Sequence, residues 1–444
     1  MVSSFNNIKD ALELGQTELY WRSDHLCRAP FSGFCIDAGG IITLCCMASS
    51  DPHNPAGSYY PNGEWPKIQE IENLTEFYNS EQMEYFRREL ENKNGSNIDP
   101  CKNCFKTEKA GTGSTYKKYT NEQQAMLGFD EDWDLRKSKK QIPIRWLELT
   151  TSNICNASCS TCTGFFSSKW NDVYKFFKKN DISSPYTGIP YQESKIVRLN
   201  DRDIQKIEKL LPDLSWLMLK GGEPFADKNN FRILKKLFDC NEKCKVTIIS
   251  NFYKINPDML KVLKKGKNQL THVGASIDGI GKEYDWIRSN KFEETVKTLK
   301  QYHENVPAPI SINVFVSLHN FFSLDKIVEY FIDIPYINCV HLDNVASRID
   351  GNDLTFGLNK IPNNIFKEYL EKYMAKWEKD NLNYQIRHGY PFVMFNSLKK
   401  YYDSHTEFGD LKKEFQFIEN MNKFRGFNLL DHCKGLKDLY EQTM

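Results

Sequence analysis

The sequence has no excess of either charge. Its 59 Lys and Arg nearly cancel 58 Asp and Glu, leaving +1 over 444 residues. No global field therefore steers the protein toward phosphate backbones or anionic lipid. Nucleic acid and membrane are not expected partners, and the basic runs Arg136-Lys137-Ser138-Lys139-Lys140 and Lys264-Lys265 read as solvated faces. Long apolar runs are also missing. None approaches the roughly 18 residues that a spanning helix needs, and Asp10 and Glu13 interrupt the first stretch, where a secretory signal would be continuously apolar. A cytoplasmic protein is the expectation. The 9 histidines are scattered, and none pairs at metal-ligand spacing. A phosphate-binding loop, a dinucleotide fingerprint and a Ser-His-Asp arrangement are all lacking, as are internal repeats and low-complexity tracts.

Cysteine, by contrast, is plentiful: there are 13. Thiols stay reduced in a cytoplasmic protein, so metal binding or redox chemistry is their expected use. Composition is otherwise that of a globular chain, 40% hydrophobic and 26% charged, and the length favours two or three domains.

From about 144 to 343, short β-rich runs alternate with amphipathic helical ones, the pattern of parallel βα units. Six strands are expected: Ile144 to Thr150, Ser215 to Lys220, Lys245 to Ser250, Thr271 to Ile277, Ile310 to Ser317 and Ile337 to Asp343. Helical spacing links Phe231, Leu234, Leu237 and Phe238, then Phe292, Val296, Leu299 and Tyr302, and Gly266 reads as a helix stop. Six units are too few for a closed eight-stranded barrel. A partial (β/α)6 barrel of the TIM-like α/β class or a doubly wound sheet remains, with ligands at the carboxyl ends of the strands in either case.

The first 140 residues read as a small, loop-rich module with short strands near Ile41 to Leu44, the turn-rich HNPAGSYYPNG stretch and a polar helix over Glu81 to Leu90. Such a module needs a staple. The tail after about 350 is helical, with Ile365, Tyr369, Leu370, Tyr373, Met374 and Trp377 in phase. The expected partition is 1–140, 141–350 and 351–444, the last a helical extension over the barrel mouth.

Cys155, Cys159 and Cys162 follow directly on the first barrel strand. Three soft thiolates on one strand-end loop suit a cluster of iron and sulfide, whereas structural zinc takes four ligands in a closed tetrahedron. One iron is then left without a protein ligand. The C-x3-C-x2-C motif at this place resembles the signature of the radical S-adenosylmethionine (SAM) superfamily. That resemblance implies a [4Fe-4S] cluster that binds SAM and cleaves it reductively to a 5'-deoxyadenosyl radical.

Further motifs are similar to that family and fall in the same order. Gly221-Gly222-Glu223-Pro224 after the second strand resembles its GGEP motif, Ser250-Asn251 ends the third strand, and Ser276 and Asp278 end the fourth. The resemblance implies that these residues contact the methionyl and ribose groups, with Glu223 on the ammonium. Arg288 resembles the family's carboxylate-binding arginine, a task that suits a guanidinium fork. Thr161 departs from the pattern, because the family places an aromatic or apolar residue there, near adenine.

A second set lies upstream. Cys27, Gly40 and Cys45 follow at intervals of twelve and four residues, and Cys101-Lys-Asn-Cys104 completes it. Four thiolates would staple the module, and by donor chemistry alone zinc and iron-sulfur are both admissible. The pattern resembles the auxiliary-cluster modules called SPASM and twitch, which implies a second, auxiliary [4Fe-4S] cluster, with Cys46 as an alternative to Cys45 and Cys35 a further candidate. In the best-known members this module follows the barrel, whereas here it precedes it. Cys240, Cys244, Cys339, His272 and His341 read as packing or rim residues, and Cys433 is unassigned.

The resemblance implies a radical SAM enzyme that abstracts hydrogen from a peptide or protein side chain, supplied with electrons by a donor such as flavodoxin or ferredoxin. A sugar, nucleotide or nucleobase is the alternative small-molecule substrate. A zinc-stapled binding module without catalysis is the reading outside enzymology.

Overall fold

A computed structural model describes residues 29–45, 65–92, 141–182, 196–345, 356–378 and 411–444, with Cys27, Ala48, Cys101, Cys104, Phe395, Leu398, Lys399 and Tyr402. Cys46, the HNPAGSYYPNG turn, the first residues and the basic run at 136–140 lie outside them.

The six expected strands are present within a residue or two at most ends, as β3 (Trp146–Leu149), β4 (Trp216–Leu219), β5 (Lys245–Ser250), β6 (Leu270–Ser276), β7 (Ile310–Val316) and β8 (Ile337–Val345). Neighbours in this series pair parallel, for example Leu147 with Leu217 and Ser276 with Asn313. Helices cross between them, including Lys228–Cys240, Pro257–Lys265, Phe292–Asn305 and Leu324–Ile332. Gly266 caps the second of these, as its position after Leu263 predicts.

The sheet is larger than the six strands expected. β1 (Gly33–Ile36) pairs parallel with β3, matching Gly33 to Trp146 and Ile36 to Leu149, and β2 (Ile42–Thr43) turns back antiparallel on β1. One sheet thus runs in the order β2-β1-β3-β4-β5-β6-β7-β8. The N-terminal module extends the partial barrel at its first edge. Sequence reading misses β1 because four residues without alternation carry no period, and the edge of β3 supplies their hydrogen bonds.

Because side chains alternate across a strand, the sheet has two unlike faces. Leu147, Leu149, Leu217, Leu219, Ile248, Val273 and Ile312 are fully buried beneath the helices. The opposite face bears Trp146, Glu148, Trp216, Thr247, His272, Ser311 and Cys339. Trp146 and Trp216 rings lie 6.0 Å apart there, and Trp216 Nε1 donates to Thr247 Oγ1 at 3.0 Å. This is a polar barrel interior bounded by an apolar shell.

The C-terminal helices Asn363–Glu378, Leu411–Arg425 and Lys434–Thr443 pack on the barrel through aromatic side chains. Phe321, just after β7, stacks on Phe366 at 4.9 Å, and Phe366 stacks on Tyr402 at 3.8 Å. A fully buried pair, Lys360 with Glu414, fixes the segment that leads into the first of these helices. Among the described residues no helix is long and apolar enough to cross a membrane.

Candidate active site

The loop after β3 is anchored before it reaches its first cysteine. Thr151 Oγ1 donates to Asp227 Oδ2 at 2.7 Å, and Ser152 Oγ donates to the same carboxylate oxygen. Asp227 also caps the helix Lys228–Cys240 by accepting from Asn229 N. Asp227 therefore couples the cysteine loop to the second βα unit, and nothing in its sequence context singles it out.

The GGEP turn closes on the same loop. Gly221 and Gly222 have φ of +73° and +52°, a region L-residues enter at a cost. A Cβ on Gly222 would stand 2.6 Å from Ile154 O and 2.7 Å from Ser152 O. Glu223 N donates to Ile154 O at 2.8 Å. The glycines thus let the turn approach the backbone that leads into Cys155, which is how the two motifs come to one place. Pro224 is buried and opens the short 3-10 turn Pro224–Ala226.

Glu223 is buried, and its carboxylate accepts from Phe225 N at 3.0 Å, Ser250 Oγ at 2.7 Å and Asn251 N at 2.8 Å. Burial pushes its pKa up, and these donors pull it back. A carboxylate has about four acceptor positions; three are filled by the ends of β4 and β5. Asn251 Nδ2 donates to Asn156 Oδ1 at 2.7 Å and approaches Cys155 Sγ at 3.8 Å. Asn251 therefore ties the cysteine loop to the end of β5, and Ser250 ties the GGEP turn to it.

Arg288 ends the helix Gly281–Arg288 and points back into the site. Nε and Nη2 donate to Ser276 O at 3.1 and 2.6 Å, Nη1 lies 3.2 Å from Asp278 Oδ2, and Nη1 also approaches Cys159 Sγ at 3.6 Å. Asp278, buried, accepts from Phe315 N at 2.8 Å on its other oxygen. The fork is thus turned inward, tying the end of β6 to the second cysteine.

Cys159 is buried while Cys155 and Cys162 are partly exposed. Burial and the neighbouring Cys159 and Glu223 push the Cys155 thiol up to about 12. Cys162 is raised by burial and by both other cysteines, and Arg288 pulls it back. Cys155 and Cys162, both raised, are poor anions until a cation arrives to displace their protons. Among the described residues no three His, Cys, Asp or Glu side chains converge on a point that would hold one metal ion. A cluster does not need such a point, because each thiolate takes its own iron. Soft donors, the open acceptor position on Glu223 and the mutual proximity of the three thiols together fit a cluster with an amino-acid ligand.

In the N-terminal module, Cys27 and Cys45 pack with Cys35 against Trp146 and Trp216. Cys101 packs against the main core, and Cys104 is partly exposed. Gly40 takes φ +85° in the turn between β1 and β2, which explains the glycine of that motif.

Three features escaped the sequence reading. Glu148 and Lys220 form an ion pair on the interior face. Cys339 Sγ lies 3.0 Å from His341 Nε2 and 3.2 Å from Ser311 Oγ, with the His272 ring 5.8 Å from that of His341. Cys339 and His341 are two apart on one strand, and that shared face was the available signal. Arg425, from the C-terminal extension, donates from Nη1 to Ser158 Oγ at 3.0 Å.

A parallel partial barrel that gathers three thiols at the carboxyl end of one strand, beside a second cysteine module, defines an iron-sulfur barrel protein. The family described as Radical SAM superfamily matches residues 149–331, and the family SPASM, an iron-sulfur cluster-binding domain, matches residues 27–105. The chain thus carries a radical SAM domain with a SPASM module ahead of it. These two domains bring a [4Fe-4S] cluster with SAM in the barrel and an auxiliary cluster in the module.

The radical SAM cyclopropyl synthase TigE of Paramaledivibacter caminithermalis is 23% identical over 240 residues, 51% of this chain and 46% of that protein. The chain therefore spans about half the length of this curated relative. Among solved structures, native anSMEcpe with bound AdoMet is 17% identical over 54% of this chain and 62% of its own, with a TM-score of 0.38. Streptococcus suis SuiB bound to precursor peptide SuiA is 15% identical over 71% and 64%, with a TM-score of 0.34.

Proposed function

We propose that this chain holds SAM at the Cys155, Cys159 and Cys162 loop and uses it to remove a hydrogen atom from a peptide or protein side chain. The observation that carries the reading is the convergence on that loop of Glu223 after β4, Asn251 after β5 and Arg288 from the helix after β6, with Ser250 holding Glu223. When bound, the cluster and SAM supply the electron and the carbon radical that make this abstraction feasible. The chain's own residues bind and orient.

Glu223 keeps one acceptor position for an ammonium, and its burial makes that hydrogen bond strong. Gly221 and Gly222 hold the turn against the loop. Asp278 and Ser276 fix Arg288 so that its cationic fork stays beside Cys159. On the interior face Trp146 and Trp216 are covered by the N-terminal module, while Lys220 of the Glu148–Lys220 pair is partly exposed and offers a substrate charge. Support for a peptide or protein substrate comes from the SPASM module, which in this superfamily accompanies peptide modification most often. Its auxiliary cluster, on Cys27, Cys45, Cys101 and Cys104, would accept an electron or anchor the substrate, and a flavodoxin or ferredoxin would deliver the first one.

Anaerobically purified protein with a reductant should convert SAM to 5'-deoxyadenosine, and Cys159→Ala should abolish this. Deuterium transfer from labelled candidate peptides into 5'-deoxyadenosine identifies the substrate. Transfer from a labelled sugar or nucleotide instead would overturn the peptide assignment, and colourless protein with stoichiometric zinc would overturn the enzymatic one.

A further inference from the structure

The cysteine loop is gripped by an element outside the superfamily's matched segment. Arg425, the last residue of the helix Leu411–Arg425, donates from Nη1 to Ser158 Oγ at 3.0 Å, from Nη2 to Ser158 O, and from Nε to Trp286 O at 3.0 Å. Ser158 directly precedes Cys159. All the acceptors are neutral, and among the described residues no carboxylate pairs with this guanidinium. Arg288 differs, because Asp278 lies 3.2 Å from it and the pair is neutral overall. Burial pulls the Arg425 pKa down to about 10, and the one ionisable group drawing it back up is Cys159. It remains a cation at neutral pH.

Arg425 is only partly exposed, and a largely desolvated charge without a counter-ion is costly. The anion that answers Arg425 is one that arrives: three thiolates on an iron-sulfur core carry net negative charge, and one-electron reduction adds another. A fixed cation beside such a group stabilises its reduced form and raises its potential. The alignment is favoured locally too, since a cation at a helix carboxyl end meets the negative end of the helix dipole. We infer that Arg425 is the counter-cation of the cluster held by Cys155, Cys159 and Cys162, through which the C-terminal extension sets the potential at which that cluster accepts its electron. This rests on the proposed function only in requiring that the cluster be there.

The test is an anaerobic redox titration of the full chain with reconstituted clusters, followed by electron paramagnetic resonance; the cluster of interest is the one whose signal changes when SAM is added. Arg425→Gln should lower its reduction equilibrium constant roughly tenfold, about 59 mV for one electron, while Arg425→Lys, which keeps the charge, should restore it. Ser158→Ala removes one hydrogen bond and no charge, and should leave the potential in place. A loaded Arg425→Gln protein at the wild-type potential overturns the inference. So does a Lys or Ser158→Ala variant displaced as far as the Gln one. Should Arg425→Gln not assemble its cluster, a displaced potential in the Lys or Ser158→Ala protein overturns it, and unchanged potentials in both support it. Wild-type protein without a SAM-responsive cluster overturns the functional reading itself, a different result from any of these.

Discussion

At the scale of single residues, the site depends on backbone approach more than on side-chain reach. Gly222 and Gly281 both have positive φ, +52° and +55°, yet a Cβ on Gly222 would meet two backbone oxygens whereas one on Gly281 would meet nothing within 4 Å. Gly281→Ala should therefore cost only the left-handed penalty, about 1–2 kcal/mol. Gly222→Ala adds a collision with the cysteine loop, and we expect a loss of 3 kcal/mol or more, roughly, together with reduced iron uptake on reconstitution. Thermal unfolding of the two variants, with iron assay, checks this; equal losses would refute it. A second prediction concerns Cys339. Burial pushes this thiol up, but its hydrogen bonds with His341, Ser311 and Asn338 hold it below the ordinary thiol range. Its alkylation by iodoacetamide, mapped by mass spectrometry, should reach half-maximal rate at a lower pH than an ordinary cysteine, because the thiolate reacts. His341→Ala should move that midpoint upward.

Elements show which parts of the fold the sequence made legible. β3 to β8 were readable because each lies in a short, largely apolar run bounded by turn residues, β-branched in β5 to β8, and Gly266 and the GGEP turn mark their boundaries. β1 and the docking of the C-terminal helices were not, since edge pairing and long-range contacts such as Arg425 with Ser158 leave no local trace. The cysteines, Glu223 and Arg288 could be listed from their order along the chain. Their shared hydrogen bonds could not, because these depend on where strand ends meet. Glu283, on the helix Gly281–Arg288, is a case in point: burial pushes it up to about 8, although Ser323 donates to it. An unfolded Glu ionises near 4.3, so the folded state holds this proton over a window in which the unfolded chain has lost it. Stability from this group is full below about pH 4 and falls as pH rises through 8. Glu283→Gln should therefore be little changed at pH 5 and more stable than wild type by a few kcal/mol at pH 8, read from denaturant midpoints. Removal of one partner from the buried Lys360–Glu414 pair, fully enclosed on both sides, acts the other way. Glu414→Ala strands a lysine and the Phe356 N–H, and should cost about 3–5 kcal/mol, with faster proteolysis at the C-terminal helices.

For the whole molecule, the continuous sheet makes the two cysteine sets neighbours in one body. β1 pairs with β3 along its full length, and Cys27, Cys35 and Cys45 pack on Trp146 and Trp216 of the barrel interior. The auxiliary cluster would thus sit against the same interior face that leads up to Cys155, Cys159 and Cys162. Two clusters held by separate ligand sets predict a divisible iron content. If both are four-iron clusters, anaerobically prepared wild-type protein should carry about eight irons per chain, and replacing Cys155, Cys159 and Cys162 together by Ala should leave about four. Loss of all iron in that triple variant would mean that the sets are not independent. Replacing Cys101 and Cys104 should also leave about four irons, and the remaining cluster should still respond to SAM. That pair of variants carries a consequence for stability: structural clusters contribute folding energy where a module lacks a core of its own. The N-terminal module is built from strands of four and two residues, so loss of the auxiliary cluster should loosen β1 and β2 far more than loss of the barrel cluster loosens β3 to β8. Hydrogen exchange on the two variants separates these outcomes. Equal protection of Phe34 and Leu217 amides in the Cys101/Cys104 variant would show that the barrel edge alone holds the module.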